Sequence, residues 1–124
     1  MIVRKIAAAC LCLAALPVLA ASALPPKMAG KQQTNGGTAG IVEATVIQSQ
    51  GAEMAKLKLS FMGDCTRSGE TTAEFKHGVW QFVIPGSAKC DEVSVQVRQV
   101  EGKNRLEGEF KTGKKDGTIY YEWN

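Results

Sequence analysis

Apolar and polar residues alternate along most of the chain after Gly40. Alternation with a period of two residues is typical of β-strands that bury one face and expose the other. About seven such runs occur, and the residues of their apolar faces are Val42, Ala44 and Val46; Ala55, Leu57, Leu59 and Phe61; Ala73 and Phe75; Trp80, Phe82 and Ile84; Val93, Val95 and Val97; Leu106, Gly108 and Phe110; and Ile119, Tyr121 and Trp123. The pattern predicts an all-β fold, a small antiparallel sandwich or barrel of about seven strands.

Two of these runs depart from simple alternation. Val79 and Val83 lie on the face opposite Trp80, so this run is apolar on both sides and is predicted to form a central strand. Ile41 and Ile47 interrupt the polar face of the first run. They are the large apolar side chains on a face that the alternation predicts to be exposed.

Short polar segments mark the connections between runs. Gln50 and Gly51 suit a hairpin turn after the first run, His77 and Gly78 suit a second turn, and the range Gly113–Gly117 suits the last one. The single histidine of the chain therefore lies in a turn, which predicts an exposed residue. General acid–base chemistry would need a second titratable group beside it. No catalytic residue is assigned.

Residues 1–20 have the composition of a secretory signal peptide, with residue 23 as an alternative end. Arg4 and Lys5 supply the charged start, residues 6–16 form an apolar segment, and small residues follow it. The apolar segment is shorter than the roughly twenty residues that span a bilayer. The sequence therefore predicts export to the periplasm or secretion, and a mature chain with no transmembrane segment.

The cysteines follow from this cleavage. Cys10 and Cys12 would leave with the leader; lipid attachment to one of them is the alternative, although both lie inside the apolar segment where a lipidated cysteine would be expected to follow it. Cys65 and Cys90 remain as an even pair in an oxidising compartment, which predicts one disulfide worth about 3 kcal/mol. A redox or metal site is the competing interpretation, but it lacks a C-x-x-C spacing and has only His77 to help.

The segment that follows the leader is poor in apolar residues. Residues 21–40 are rich in Pro, Gly, Gln and Asn, and Met28 is the only large apolar side chain after Leu24. Such a segment buries too little surface to offset its ordering entropy. The sequence predicts a flexible N-terminal tail over residues 21–40 and a single β domain over residues 41–124.

Net charge excludes one class of partner. The full chain has 15 basic and 12 acidic residues, and removal of Arg4 and Lys5 with the leader leaves a net charge of +1. A nearly neutral domain has no bulk field that would gather nucleic acid or anionic lipid. Nucleic acid is therefore not expected as a partner.

The C-terminal segment, about residues 105–124, resembles a MORN-type repeat, a β-hairpin unit with a glycine-lysine turn and an aromatic return strand. The matching residues are Gly108, Glu109, Phe110, Gly113, Lys114, Lys115, Gly117, Tyr120 and Tyr121. MORN-type units stack in arrays that serve as contact surfaces for proteins or lipids, so the resemblance implies a non-catalytic role. The alternative interpretation is an ordinary β-hairpin, because any hairpin with an Asp-Gly turn and aromatic cross-strand pairs would show the same residues.

One candidate binding patch emerges from the last hairpin. If Tyr121 faces the core, Tyr120 lies on the outer face, where we expect it beside Lys111 and Lys115, with Lys114 in the neighbouring turn. Aromatic and cationic side chains together are favoured at recognition surfaces.

The function that these observations favour is a soluble exported binding module that recognises a protein of the cell envelope. An inhibitor or immunity-type protein that blocks an envelope enzyme is the specific form, and a structural or assembly component of an envelope complex is the alternative. No motif for hydrolysis, zinc binding or phosphate binding occurs in the sequence. The sequence therefore predicts neither an enzyme, nor a cofactor, nor a metal site.

Overall fold

The computed structural model describes residues 24–63 and 65–124, so the predicted signal peptide lies outside the described residues. Eight antiparallel strands follow one another in sequence order and close into a barrel. The strands are β1 (Lys27–Thr34), β2 (Ala39–Ser49), β3 (Met54–Phe61), β4 (Arg67–Lys76), β5 (Val79–Ile84), β6 (Val93–Gln99), β7 (Arg105–Thr112) and β8 (Lys115–Glu122). The all-β prediction is confirmed, and of the two predicted architectures the chain adopts the barrel. In the part of the chain that the structure describes, no helix is long and apolar enough to cross a membrane.

Strand β1 corrects the predicted tail. Residues 27–34, assigned to a flexible segment from their composition, pair with β2 on one side and with β8 on the other. Met28 and Gln32 point into the barrel and are buried, whereas the residues between them are exposed or half-buried. The strand therefore owes its order to backbone hydrogen bonds along both edges more than to apolar burial, and composition does not report such pairing.

The core fills the inside of the barrel. Each strand buries alternate residues, and the largest fully buried side chains are Trp80, Tyr121, Phe110, Leu57, Leu59 and Ile84. The predicted inward faces are confirmed, including that of β8, where Ile119 and Tyr121 are buried and Trp123 packs against the core. A barrel of eight strands has an interior that side chains of this size can fill.

Strand β5 corrects a second expectation. Its pattern of burial alternates along its length, and Val83 on the outer face is 38% exposed. The strand was predicted to be a central one because it is apolar on both sides. A closed barrel of one layer has only one buried face, so Val79 and Val83 lie on the outside even though they are apolar.

The disulfide between Cys65 and Cys90 is confirmed, with Cα atoms 5.9 Å apart. It joins the start of β4 to the loop between β5 and β6. At this place β4 and β5 separate, because their paired register covers only Glu74–Lys76 against Val79–Gln81. The disulfide therefore holds together two strands that share few backbone hydrogen bonds.

Candidate functional site

Tyr120 lies on the outer face of β8, as predicted, and is half-buried among its neighbours. Its cross-strand partners are Lys31 on β1 and Glu107 on β7. The preceding and following residues of β8, Ile119 and Tyr121, point into the core. Tyr120 is thus presented to the outside by a strand that is fixed from within, which suits a residue that contacts a partner.

Arg105 covers one face of the Tyr120 ring. Its guanidinium carbon lies 3.9 Å from the ring centroid, within the range of a cation–π contact. The same guanidinium donates hydrogen bonds to Glu107 at 2.5 Å and to Glu122 at 2.6 Å. The hydrogen bond that Arg105 donates to Glu122 is the main cause that raises the pKa of Arg105 above its ordinary value. The arginine and the tyrosine are held as one preorganised unit.

The three lysines of the predicted patch do not lie beside Tyr120. In the backbone register, Lys111 of β7 lies opposite Asp116 of β8, and Thr112 of β7 lies opposite Lys115 of β8. Lys114 lies in the two-residue turn between these strands. Lys111 is four residues along β7 from the partner of Tyr120, a separation of about 13 Å. The predicted patch is therefore wrong as a single cluster, because the turn is shorter than the Gly113–Gly117 segment expected from the sequence.

A groove along the outer face of β6, β7 and β8 runs from Tyr120 to Lys111. One cavity of about 630 Å³ is lined by Tyr120 and Arg105, and a second of about 400 Å³ by Lys111. The two cavities share their lining at Gln96, Glu109 and Thr118, which form one row across the three strands. The shared row is polar, because Gln96, Glu109 and Thr118 all carry hydrogen-bonding side chains.

The apolar part of the surface was missed as a site. Ile41 is 50% exposed and Met62 is 45% exposed, and the two are adjacent because the Met62 N–H donates to the carbonyl of Ile41 at 2.9 Å. The sequence signal was present, since Ile41 interrupts a polar face of alternating residues. This signal alone could not connect Ile41 with Tyr120, because the connection depends on β1, which places Lys31 between them.

Two polar atoms lie buried inside the barrel without a hydrogen-bond partner among the described residues. They are the indole nitrogen of Trp80 and the hydroxyl oxygen of Tyr121. Burial raises the pKa of Tyr121 well above the ordinary value of a tyrosine. Side chains surround both groups, with the Phe75 ring 5.3 Å from that of Trp80 and the Phe82 ring 6.2 Å from that of Tyr121.

His77 lies in the tight turn between β4 and β5, with a positive φ of 55°, and is exposed. Across residues 24–63 and 65–124, no three His, Cys, Asp or Glu side chains come together in a group that could hold a metal ion. Comparison of the chain with protein-family models, with curated proteins and with solved structures finds no match. The geometry of the surface is therefore the basis for any functional argument.

Proposed function

We propose that this chain is an exported soluble binding module that recognises a protein of the cell envelope, in the manner of an inhibitor or immunity-type protein. The observation that carries the proposal is the outward Tyr120 with Arg105 stacked on its ring at 3.9 Å. Tyrosine and arginine are the residues that most often anchor protein interfaces. Here both are fixed before a partner arrives, so little side-chain entropy remains to be lost on binding.

The filled interior of the barrel supports a role for the outer surface. Eight-stranded barrels either pack their interior with side chains or hold one small ligand there. In this chain Trp80, Phe110 and Tyr121 are almost completely buried in the interior. Recognition by the outside of the wall is the use that such a barrel favours.

Export is the second part of the proposal, and it rests on two independent features. The first is the composition of residues 1–20, which is that of a secretory leader. The second is the Cys65–Cys90 disulfide, since such bonds persist in oxidising compartments. A non-catalytic contact surface is also what the resemblance of residues 105–124 to a MORN-type unit implies.

Capture from an envelope extract tests the proposal. The exported protein is immobilised, and the retained proteins are compared for the wild type, Tyr120→Ala and Val83→Ala. Val83 is the matched control because it is an exposed apolar residue on another part of the wall. We expect a stoichiometric partner on the wild type and on Val83→Ala, and binding weaker by about 1 to 4 kcal/mol for Tyr120→Ala.

Equal retention by Tyr120→Ala would reject this surface as the binding site. Recovery together with a large membrane assembly, in place of one soluble enzyme, would favour the structural or assembly role instead. Circular dichroism and melting temperature of each variant separate a loss of binding from a loss of fold, and Tyr120→Ala is expected to melt close to the wild type.

A further inference from the structure

We propose that the binding surface extends from Tyr120 across β1 to β2 and the end of β3, and that it takes a partner segment with apolar side chains next to a carboxylate. The residues that form it, called the cross-strand row below, are Met62, Ile41, Lys31 and Tyr120. This inference rests on the proposed function and specifies the chemistry of the partner.

The strand register places the four side chains side by side. Lys31 pairs with Ile41 on one side and with Tyr120 on the other, and Met62 is hydrogen-bonded through its backbone to Ile41. Neighbouring strands lie about 4.8 Å apart, so the row spans three such spacings, or about 14 Å. An extended segment of about four residues covers that length.

The apolar end of the row consists of two exposed side chains, Ile41 and Met62. Few large apolar side chains of the described residues are exposed. Ile41 and Met62 belong to this group and lie next to each other, one on β2 and the other directly after β3. Isoleucine is stiff about its first side-chain torsion, so it loses little entropy in an interface, whereas methionine adapts to the shape of a partner. Together they give a rigid anchor and an adaptable one.

A buried polar clamp fixes Met62 at the end of β3. The side-chain amide of Gln32, the one buried polar residue among those the structure describes, donates to the carbonyl of Met62 at 2.9 Å. A Cβ atom at Gly40 would overlap that same carbonyl, and one at Gly63 would lie 2.7 Å from the Gln32 amide nitrogen. The sequence thus combines two glycines and a buried glutamine at this place, and the result is a Met62 backbone locked beside Ile41.

The charge of the row comes from Lys31. Within residues 24–63 and 65–124 this exposed lysine makes no salt bridge. On one flank of Lys31, the next outward residue of β1 is Gln33, which lies opposite Ala39 on β2 and Thr118 on β8. None of these three residues is charged. A partner carboxylate can approach the ammonium group from that flank.

The opposite flank has the reverse character. Glu43 and Glu122 lie on either side of Ala29, two residues along β1 from Lys31. A partner carboxylate there would meet the like charge of Glu43 beside the Arg105–Glu122 ion pair. The lysine therefore defines both the sign of the partner charge and the side on which it enters. Lys31 lies between Ile41 and Tyr120 in the strand register, so its apolar stem is available to the same partner segment.

Selection from a displayed library of random short peptides on the immobilised exported protein tests this inference. We expect the enriched peptides to carry an Asp or Glu next to apolar residues. Their affinities are then measured for Ile41→Thr, Lys31→Glu and Tyr120→Ala, and we expect losses of about tenfold or more, as for truncated interface anchors.

The same strands supply matched controls. Ile47 lies on β2 like Ile41 and is 46% exposed, and Lys27 lies on the outer face of β1 like Lys31. Ile47→Thr and Lys27→Glu should therefore leave the peptide affinity within about twofold, since surface changes away from the row act weakly. Raised salt should weaken binding to the wild type more than to Lys31→Glu.

Each other outcome overturns the inference. Peptides that depend on Tyr120 but tolerate Ile41→Thr and Lys31→Glu would reject the row and leave the proposed function standing, whereas peptides indifferent to all three changes would reject both. Enrichment of basic peptides, or of none, rejects the stated chemistry. A wild-type dimer that Ile41→Thr converts to monomers in light scattering would show that a second copy occupies the row.

Discussion

Two boundaries between adjacent strands close this barrel in different ways. Between β7 and β8 the paired register runs over the full length of both strands, from Arg105 against Glu122 to Thr112 against Lys115. Between β4 and β5 it covers three pairs, and the strands then separate toward the end of the barrel that carries the disulfide. Side-chain and covalent contacts replace the missing hydrogen bonds there.

Three contacts hold the separated part of the β4–β5 boundary. The Cys65–Cys90 disulfide crosses it, and the ring of Pro85 packs against Gly69, where an added Cβ would lie 3.0 Å from the proline. Arg67, at the start of β4, hydrogen-bonds to the loop that follows β5. In this barrel, side-chain contacts and a covalent cross-link close the boundary that has few backbone hydrogen bonds, so backbone pairing does not have to be equally long at every boundary.

Loss of the large ring at the weakly paired boundary should have the greatest effect. Trp80 on β5 is 2% exposed and contacts Phe75 on β4. Trp80→Ala should lower the free energy of unfolding by about 3 to 5 kcal/mol through lost burial and a cavity. Chemical denaturation measures the loss, and a solvent-like fluorescence maximum for Trp80 in a Trp123→Phe background would contradict the burial.

Removal of the disulfide should come next. The double change Cys65→Ala and Cys90→Ala should cost about 2 to 5 kcal/mol, because the reduced chain gains freedom in its unfolded state. Hydrogen exchange should show that β4 and β5 lose protection before β7 and β8, which keep their full ladder. Equal loss of protection in all strands would contradict the difference between the boundaries.

Substitution of Arg67 tests the hydrogen bonds between the start of β4 and the loop that follows β5. Among the described residues, the Arg67 guanidinium donates to the carbonyls of Cys65 and Asp91 and to the hydroxyl of Thr112. Arg67→Met should cost about 1 to 3 kcal/mol in denaturant unfolding, because these hydrogen bonds are lost. Arg98→Met is the control, since Arg98 is exposed on β6, and a change within about 0.5 kcal/mol is expected there. Equal effects of the two changes would remove Arg67 from the closure.

On the fully paired side, a small gain in stability is expected. Tyr121 buries a hydroxyl that has no partner among the described residues. Tyr121→Phe removes this unpaired group and keeps the ring, so it should raise the free energy of unfolding by about 1 kcal/mol at neutral pH.

The same variant should change the alkaline limb of the stability curve. Burial raises the folded-state pKa of Tyr121 above its unfolded value of about 10. Above that pH the unfolded chain releases a proton that the folded chain keeps, so the wild type loses at most about 1.4 kcal/mol per pH unit from this group. Tyr121→Phe should decline less steeply above pH 10, and parallel curves would contradict the assignment.

Most of the inner layer of the barrel could be predicted from alternation alone. The inward residues of seven strands are predictable because apolar burial leaves a direct mark on the sequence, and the disulfide is predictable because Cys65 and Cys90 are the two cysteines left after the predicted leader. Strand β1 was missed because its order comes from hydrogen bonds to β2 and β8, with only Met28 and Gln32 buried. Backbone pairing on both edges has no signature in composition.

The candidate site was predictable in part. The outward position of Tyr120 followed from the inward position of Tyr121, but its neighbours depended on the length of the last turn. Gly113, with a φ of 57°, begins a two-residue turn that moves Lys115 into β8 and places Tyr120 beside Glu107. The neighbours on the other side belong to β1, which alternation did not show.

The pairing of β1 with β8 also sets an order of events when the chain folds. Ala29 pairs with Glu122, so the β1–β8 boundary joins the strands most distant in sequence and has the largest loop-closure entropy in the barrel. We therefore expect this boundary to close last. Until then β1 and β8 each have an unpaired edge, which is a template for strands of other molecules. Folding rate should therefore be limited by this closure, and at high concentration exchange of β1 between molecules would complete the same sheet.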